Sequence, residues 1–346
     1  MKQLLNTLYI TKPDVYLATQ GENIVIRQSD NIIARYPFHN LQDIVLFSYL
    51  GMSPKLLERC INYGIGVAYL STNGRLIARL QGKSSGNILL RRTQYRIADN
   101  EKESLAIARN IILAKIYNEK WTLERYIRQY EQRIDIKALK VASKDLSEML
   151  NKVKNAGSME TLRGVEGSAQ VVYFSCFDNI ILNQKKDFQF KVRSRRPPLN
   201  RVNALLSFLY AVLSNDIASS LEAVGLDAYA GFMHVDRPGR VSLALDLVEE
   251  FRATIVDRFV LSIINKKIIE AKDFDVETND AVMLNDTGRR KVISKWQERK
   301  KEEITHPYLN EKVSWGLVPF IQANLLARYL RNDLDAYPPF FWKQWA

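Results

Sequence analysis

The sequence predicts an α+β protein, a small β-rich N-terminal region followed by a larger all-α one. Three observations point there. Residues 1–84 alternate apolar and polar side chains between short turns, a Gly- and Ser-rich break follows, and beyond it apolar residues recur at helical spacing. The expected division is a β-rich region at 1–84, a linker at 85–98 and a helical region at 99–346.

In the first region, strands are expected at 8–10, 14–17, 23–27 and 31–36, separated by Gln-Gly-Glu and Gln-Ser-Asp turns. Residues 66–71 and 75–80 flank Thr72-Asn73-Gly74, a hairpin signal. One short helix lies between these sets, with Ser53 as N-cap, Pro54 at the first helical position and Gly64 past its end. His39 reads as structural. The best linker signal is 82–87. Helices are then expected at about 101–130, 142–153, 158–183, 201–221, 241–271, 289–302 and 315–332. Residues 272–288 are polar and read as a mobile loop.

Composition narrows the function. The 346 residues carry 50 Lys and Arg against 38 Asp and Glu, a formal net charge of +12. With 16 tyrosines, 14 phenylalanines and 5 tryptophans, that charge suits a polyanion, nucleic acid first. A generic basic enzyme fits the charge nearly as well. Cys60 and Cys176 have no paired spacing, so a disulfide framework and a CxxC zinc site are excluded. The three histidines form no HExxH pattern, and no phosphate-binding Gly loop occurs. No signal peptide is visible, and the longest apolar stretch, 204–213, is about half a membrane span. The expected setting is cytoplasmic.

One residue breaks its local pattern. Leu162, Glu166, Ala169, Tyr173 and Phe177 share a helical stripe, and Glu166 is its single acid, with Gly164 and Gly167 beside it. An ionised carboxylate on a packing face is costly unless a cation or donor meets it. Downstream, His234 ends an apolar stretch before an Asp-Arg-Pro-Gly turn. The helix that follows sets Leu243, Leu247 and Phe251 on one arc and Asp246, Glu249 and Glu250 on the opposite one, with Asp257 further along. Acids so spaced tolerate one another best around a cation, and hard cations seek carboxylate oxygens. Each residue also has an ordinary explanation: helical acids are usually solvated, and a lone histidine is more often structural than a ligand. From the residues alone the two accounts stand level.

A resemblance decides between them. Residues 164–169, 231–234 and 237–252 resemble the three catalytic blocks of the Cas1 family, the CRISPR-adaptation endonucleases and integrases. Residues 196–210, an arginine and prolines before a helix carrying Asn203, resemble a fourth block. The likeness runs over the whole chain, and residues 225–240 are similar in detail to the type I-C branch. It implies that Glu166, His234 and Glu249 hold a divalent metal, Mg²⁺ or Mn²⁺, where the family often has an aspartate in place of Glu249. It implies that Asp246 assists, with Glu250 the nearest rival for the ligand role. It further implies a homodimer that assembles with the small partner Cas2, its β-rich domain mediating dimerisation and DNA contact.

The implied activity is antiviral spacer acquisition. New DNA is inserted into the CRISPR repeat array by 3′-hydroxyl transesterification, and hydrolysis follows when water replaces the hydroxyl. Arg193, Arg195, Arg196 and Arg201 form one basic cluster suited to phosphate, and Arg237 and Arg240 flank His234. Lys295 and Arg299 belong to a second cluster around Trp296. Two other functions compete: a stand-alone metal-dependent nuclease on branched or single-stranded DNA, and a non-catalytic DNA-binding scaffold. A glutamate on a packing stripe has no use in pure binding.

Overall fold

The computed structural model describes residues 7–12, 14–41, 43–47, 50–71, 76–80 and 88–342. The hairpin tip at 72–74 and the break at 82–87 lie outside the described residues. The N-terminal region is β-rich and the rest mostly helical, as expected. Strands β1 (Thr7–Ile10), β2 (Tyr16–Gln20), β3 (Asn23–Gln28), β4 (Asn31–Pro37), β5 (Asp43–Leu46), β6 (Gly66–Leu70) and β7 (Leu76–Leu80) form two sheets. One is an antiparallel β2-β3-β4 meander. The other runs β1-β5-β6-β7, with β1/β5 and β5/β6 parallel and β6/β7 antiparallel.

Helix α1 (Pro54–Tyr63) crosses between β5 and β6, starting where Ser53 Oγ accepts from the Leu56 amide and ending at Gly64 with φ +66°. That left-handed turn favours glycine. Strand β5 escaped the sequence reading because it is buried on both faces. Ile44 and Leu46 face the N-terminal core, whereas Val45 joins the large helical core. A strand of that kind is a plain apolar run without alternation.

Residues 85–98, expected as linker, contain helix α2 (Ile88–Ala98). Its Gln94 is wholly buried and donates to the carbonyls of Asp227 and Ala230, at 2.8 and 2.9 Å, while accepting from the Asp227 amide. An amide so satisfied fixes the chain just before His234. Helices α3 (Glu101–Gln129), α4 (Ile136–Lys154), α5 (Met159–Ser175), α6 (Arg201–Ala223), α7 (Ser242–Phe251) and α8 (Arg258–Asn265) build the main core. Side-chain N-caps start four of them: Asn100, Asp135, Ser158 and Asn200. Asp135 begins α4 earlier than 142, the start expected from its apolar period. Helix α5 stops at Ser175 and gives way to a tighter turn, short of the expected 183.

The expected single helix over 241–271 is α7, a π-helical turn at Arg252–Asp257, then α8. The acids of α7 do not share a solvated face. Every residue of this helix except Leu245 is buried, Asp246, Glu249 and Glu250 included. Helix α6 is long and apolar enough to cross a membrane, longer than the stretch expected from sequence, yet most of it is packed inside the protein. Residues 272–288 are not a loop: β8 (Phe274–Val276) and β9 (Val282–Leu284) pair antiparallel, and Val282 N bonds the Pro198 carbonyl. Helix α9 (Asp286–Lys301), strands β10 (Glu303–Thr305) and β11 (Lys312–Ser314), and α10 (Val318–Leu330) complete the chain. The described part of the aromatic tail packs inward, with Tyr337 and Phe340 buried.

Glu250 ties that tail down. It accepts from Tyr337 Oη at 2.7 Å, Phe340 N at 2.8 Å and Gln322 Nε2 at 3.2 Å. Burial pushes its carboxyl up to about 8 from an ordinary 4.5, against the opposing pull of these hydrogen bonds. Between 4.5 and about 8 the folded protein therefore holds a proton that the unfolded chain has lost. Stability should fall as pH rises through that window. Thermal melts from pH 5 to 9 are expected to show the fall, and Glu250→Gln, neutral throughout, should shrink it.

Candidate metal and DNA site

Helix α7 presents its acids in three directions. Asp246 is wholly buried under the 231–234 loop. Its Oδ2 accepts from the amides of Phe232 (2.7 Å) and Met233 (3.0 Å), and its Oδ1 from the His234 amide (2.9 Å). The same Oδ1 lies 2.6 Å from His234 Nδ1. With Nδ1–H donated to a carboxylate, Nε2 keeps its lone pair for a ligand. Asp246 thus orients the histidine. The loop packs tightly enough to require Gly231, where a Cβ would stand 2.8 Å from Ser242 Cβ and 2.9 Å from the His234 carbonyl.

Glu249, one turn on, sits between two cations. Arg252 Nη2 lies 2.9 Å from its Oε1 and Lys115 Nζ 2.8 Å from its Oε2. Burial pushes this carboxyl up, but Arg252, Lys115 and His234 outweigh it and hold it down at about 2. Glu249 is therefore ionised at any ordinary pH. Its Oε2 faces the Lys115 ammonium alone, with no second donor among the described residues. Lys115, from the middle of α3, also contacts Glu166. Burial lowers its pKa, yet Glu249, Glu166 and Glu119 together hold it above its ordinary value.

Glu166 stands at the mouth of the site. Leu162, Ala169 and Tyr173 on its stripe are fully buried, while 18% of the Glu166 side chain is exposed. A Cβ at Gly164 or Gly167 would meet nothing within 4 Å, so the glycines leave an open face beside it. Arg163, on the same helix, donates to the Met233 carbonyl and draws α5 to the His234 loop. Glu250 points the opposite way, into the tail, and Asp257 accepts from Tyr210 toward α6. Neither belongs to the Glu166–Glu249 face.

The donors suit a hard divalent ion: two carboxylates, one with a buried oxygen met only by the Lys115 ammonium, and an imidazole whose Nδ1 is held by Asp246. Among the described residues, no three such side chains stand close enough as placed to share an ion. The reason is visible in the packing, since the Lys115 ammonium lies between Glu166 and Glu249. Sequence reading passed over Lys115, Arg252 and Glu119. Lys115 and Glu119 sit in the buried middle of α3, and a Lys and Glu four residues apart beside the apolar run Ile111–Ala114 were the available signal.

The first basic cluster lies around a cavity of about 800 Å³ between β7, α6 and α7, lined by Arg79, Arg193, Arg195, Arg196, Tyr210 and Arg252. Arg193 donates to Asn203 Oδ1 at 2.7 Å and Ser207 Oγ at 3.0 Å, and burial brings its pKa down to about 10. Both Arg193 and Arg252 lie over the Tyr210 ring, at 5.6 and 4.7 Å. Arg195 and Arg196 are exposed, and Arg237 and Arg240 sit on the turn after His234. Arg201 is turned to the Asp187 carbonyl.

The second cluster is differently disposed. Trp296 is core, Arg299 stacks on Trp315 and pairs with Glu302, and Lys295 pairs with Glu298 at 2.7 Å. Its cations are largely matched within the protein.

Asp246→Asn turns an amide toward four donors that now meet a carboxylate. It is expected to lower unfolding free energy by about 2–4 kcal/mol in urea titrations. A wild-type midpoint would contradict the buried network described here.

A family model described as CRISPR associated protein Cas1 matches residues 8–298. A CRISPR-associated endonuclease Cas1 of Chlorobaculum tepidum is 47% identical over 343 residues, covering 99% of this chain and 100% of its own length. Among solved structures, a casposase bound to integration product has the same fold, with TM-score 0.83 at 23% identity over 98% of this chain and 95% of that one. A Cas6-RT-Cas1–Cas2 complex gives 0.83 at 23% identity over 100% of this chain and 37% of that one. With a family model spanning most of its length and a full-length relative at this identity, the chain belongs to the Cas1 family of CRISPR-associated proteins.

Proposed function

We propose that this protein is a metal-dependent DNA endonuclease and integrase of CRISPR adaptation, of the type I-C branch, joining new spacers to the repeat array. The observation that carries the reading is a buried, ionised Glu249 beside a part-exposed Glu166 and an oriented His234. These three would hold Mg²⁺ or Mn²⁺. When bound, the ion supplies polarisation of the scissile phosphate and a lower pKa for the attacking 3′-hydroxyl.

The protein's own groups do the rest. Asp246 holds the His234 ring through Nδ1 and aims Nε2. Arg252 pairs with Glu249 and is itself held over the Tyr210 ring. The arginines of the cavity, Arg193, Arg195 and Arg196, hold phosphates, and Arg237 and Arg240 extend that surface past His234. Arg201, Lys295 and Arg299 are weaker candidates, because none of them lines the cavity and the last two are paired with acids. One phosphodiester breaks as another forms, so no covalent enzyme intermediate and no ATP site are needed. The protein acts in the cytoplasm as a homodimer assembled with Cas2, its β-rich region serving dimerisation and DNA contact. Two ends of one DNA fragment require two active sites, and a symmetric dimer is the commonest way to duplicate one.

Glu166→Ala, His234→Ala and Glu249→Ala are each expected to abolish strand transfer. The assay combines cognate Cas2, a duplex with 3′-hydroxyl ends and a supercoiled repeat-bearing plasmid. A folded His234→Ala protein that integrates at the wild-type rate would remove the triad, and cutting without joining would favour the stand-alone nuclease.

DNA affinity should fall roughly tenfold or more over a few-fold rise in salt. Replacing Arg195 and Arg196 together should flatten that slope, measured by fluorescence anisotropy.

A further inference from the structure

Glu166 and Glu249 come from helices far apart in the chain, and what stands between them is the ammonium of Lys115. It contacts Glu166 Oε1, lies 2.8 Å from Glu249 Oε2, and is only 1% exposed. Two details separate it from an ordinary buried ion pair. Glu249 is already balanced by Arg252 at 2.9 Å on its other oxygen. The ammonium is in turn shared between two carboxylates, so neither of them holds it alone.

A third observation lies one turn along α3. Glu119 is 2% exposed, and its Oε2 has no hydrogen-bond partner. Residues four apart on a helix face the same way, so this open acceptor is within the sweep of the Lys115 side chain. A flexible four-carbon stem thus has two stations, one between the ligand carboxylates and one at the unpartnered Glu119 oxygen.

We propose that Lys115 is a tethered counter-cation. In the metal-free protein it occupies the space between Glu166 and Glu249, and a divalent ion enters only as the ammonium withdraws toward Glu119. The proposal rests on the reading of Glu166, His234 and Glu249 as ligands. Its physical basis is electrostatic. Two carboxylates converging in a dry interior repel one another unless a cation lies between them. The lysine supplies that cation during folding and yields to a doubly charged one afterwards. Lys115 is accordingly a positioning residue, which keeps the ligands facing one another at the cost of competing with the metal.

The test is Mn²⁺ binding to the full chain at one fixed pH, followed by calorimetry and by the loss of the free-ion paramagnetic resonance signal. Lys115→Met and Lys115→Gln are expected to bind Mn²⁺ roughly tenfold or more tighter than wild type, because a competing charge is gone. Glu119→Gln should bind it several-fold more weakly, roughly, because the displaced ammonium loses its second station. A merely structural lysine would give unchanged or weaker binding when removed, and that result overturns the proposal. Variants that fold only with Mn²⁺ present would support it, since the ion then replaces the missing charge. Lysine variants that fold in neither condition would overturn it. If wild type and all variants take up no Mn²⁺, the ligand reading itself falls as well. If wild type binds Mn²⁺ as tightly as the lysine variants do, only the role of Lys115 falls.

Discussion

The structure depends on burying three carboxylates on one ten-residue helix. Each acid of α7 would be costly alone in a dry interior, and each is met in a different way. Asp246 is met by three amides and an imidazole, Glu249 by two cations, and Glu250 by a proton and the donors of the tail. Those partners come from the His234 loop, from α3 and from the last described residues. The demands of one helix therefore fix where three remote parts of the chain must go. The site is a by-product of that solution, because the acid balanced by cations is the one that meets Glu166 across the Lys115 ammonium.

Much of this was legible in the sequence, for reasons that are physical. Ser53, Pro54 and Gly64 mark a helix whose ends need those residues, and the ends fell where they said. Glu166 stood out because it broke an apolar stripe, and the structure places it at the edge of the core. The three acids of α7 were visible too, but their directions were not. A helical wheel shows angular position and cannot show what packs on each arc. With both arcs buried, Glu250 and Glu249 differ by one residue and by everything around them. Strand β5 was hidden because two-sided burial erases alternation, and α2 because its buried polar anchor, Gln94, reads as a surface residue.

The basic clusters show the same limit from the other side. Both are runs of Lys and Arg beside aromatic residues, and composition cannot rank them. In the fold, α9 spends its cations on nearby acids and turns Trp296 inward, whereas the arginines before α6 gather about a large cavity. Tyr210 lies beneath two guanidiniums there, which holds like charges close together at the cavity wall. Charge matters less than whether the protein has already used it.

The tether between Glu250 and the tail has a bearing on biosynthesis. Helix α7 leaves the ribosome about ninety residues before its partners Tyr337 and Phe340, the sequence separation of those hydrogen bonds being 87 and 90. Until then the Glu250 carboxyl lacks the Tyr337 and Phe340 donors that meet it in the fold. A chain broken off before Tyr337 thus lacks two of the three donors to Glu250, the neighbour of Glu249. For a member of the Cas1 endonuclease family, the order of synthesis thereby places the last support of the Glu249 helix after every other residue around it.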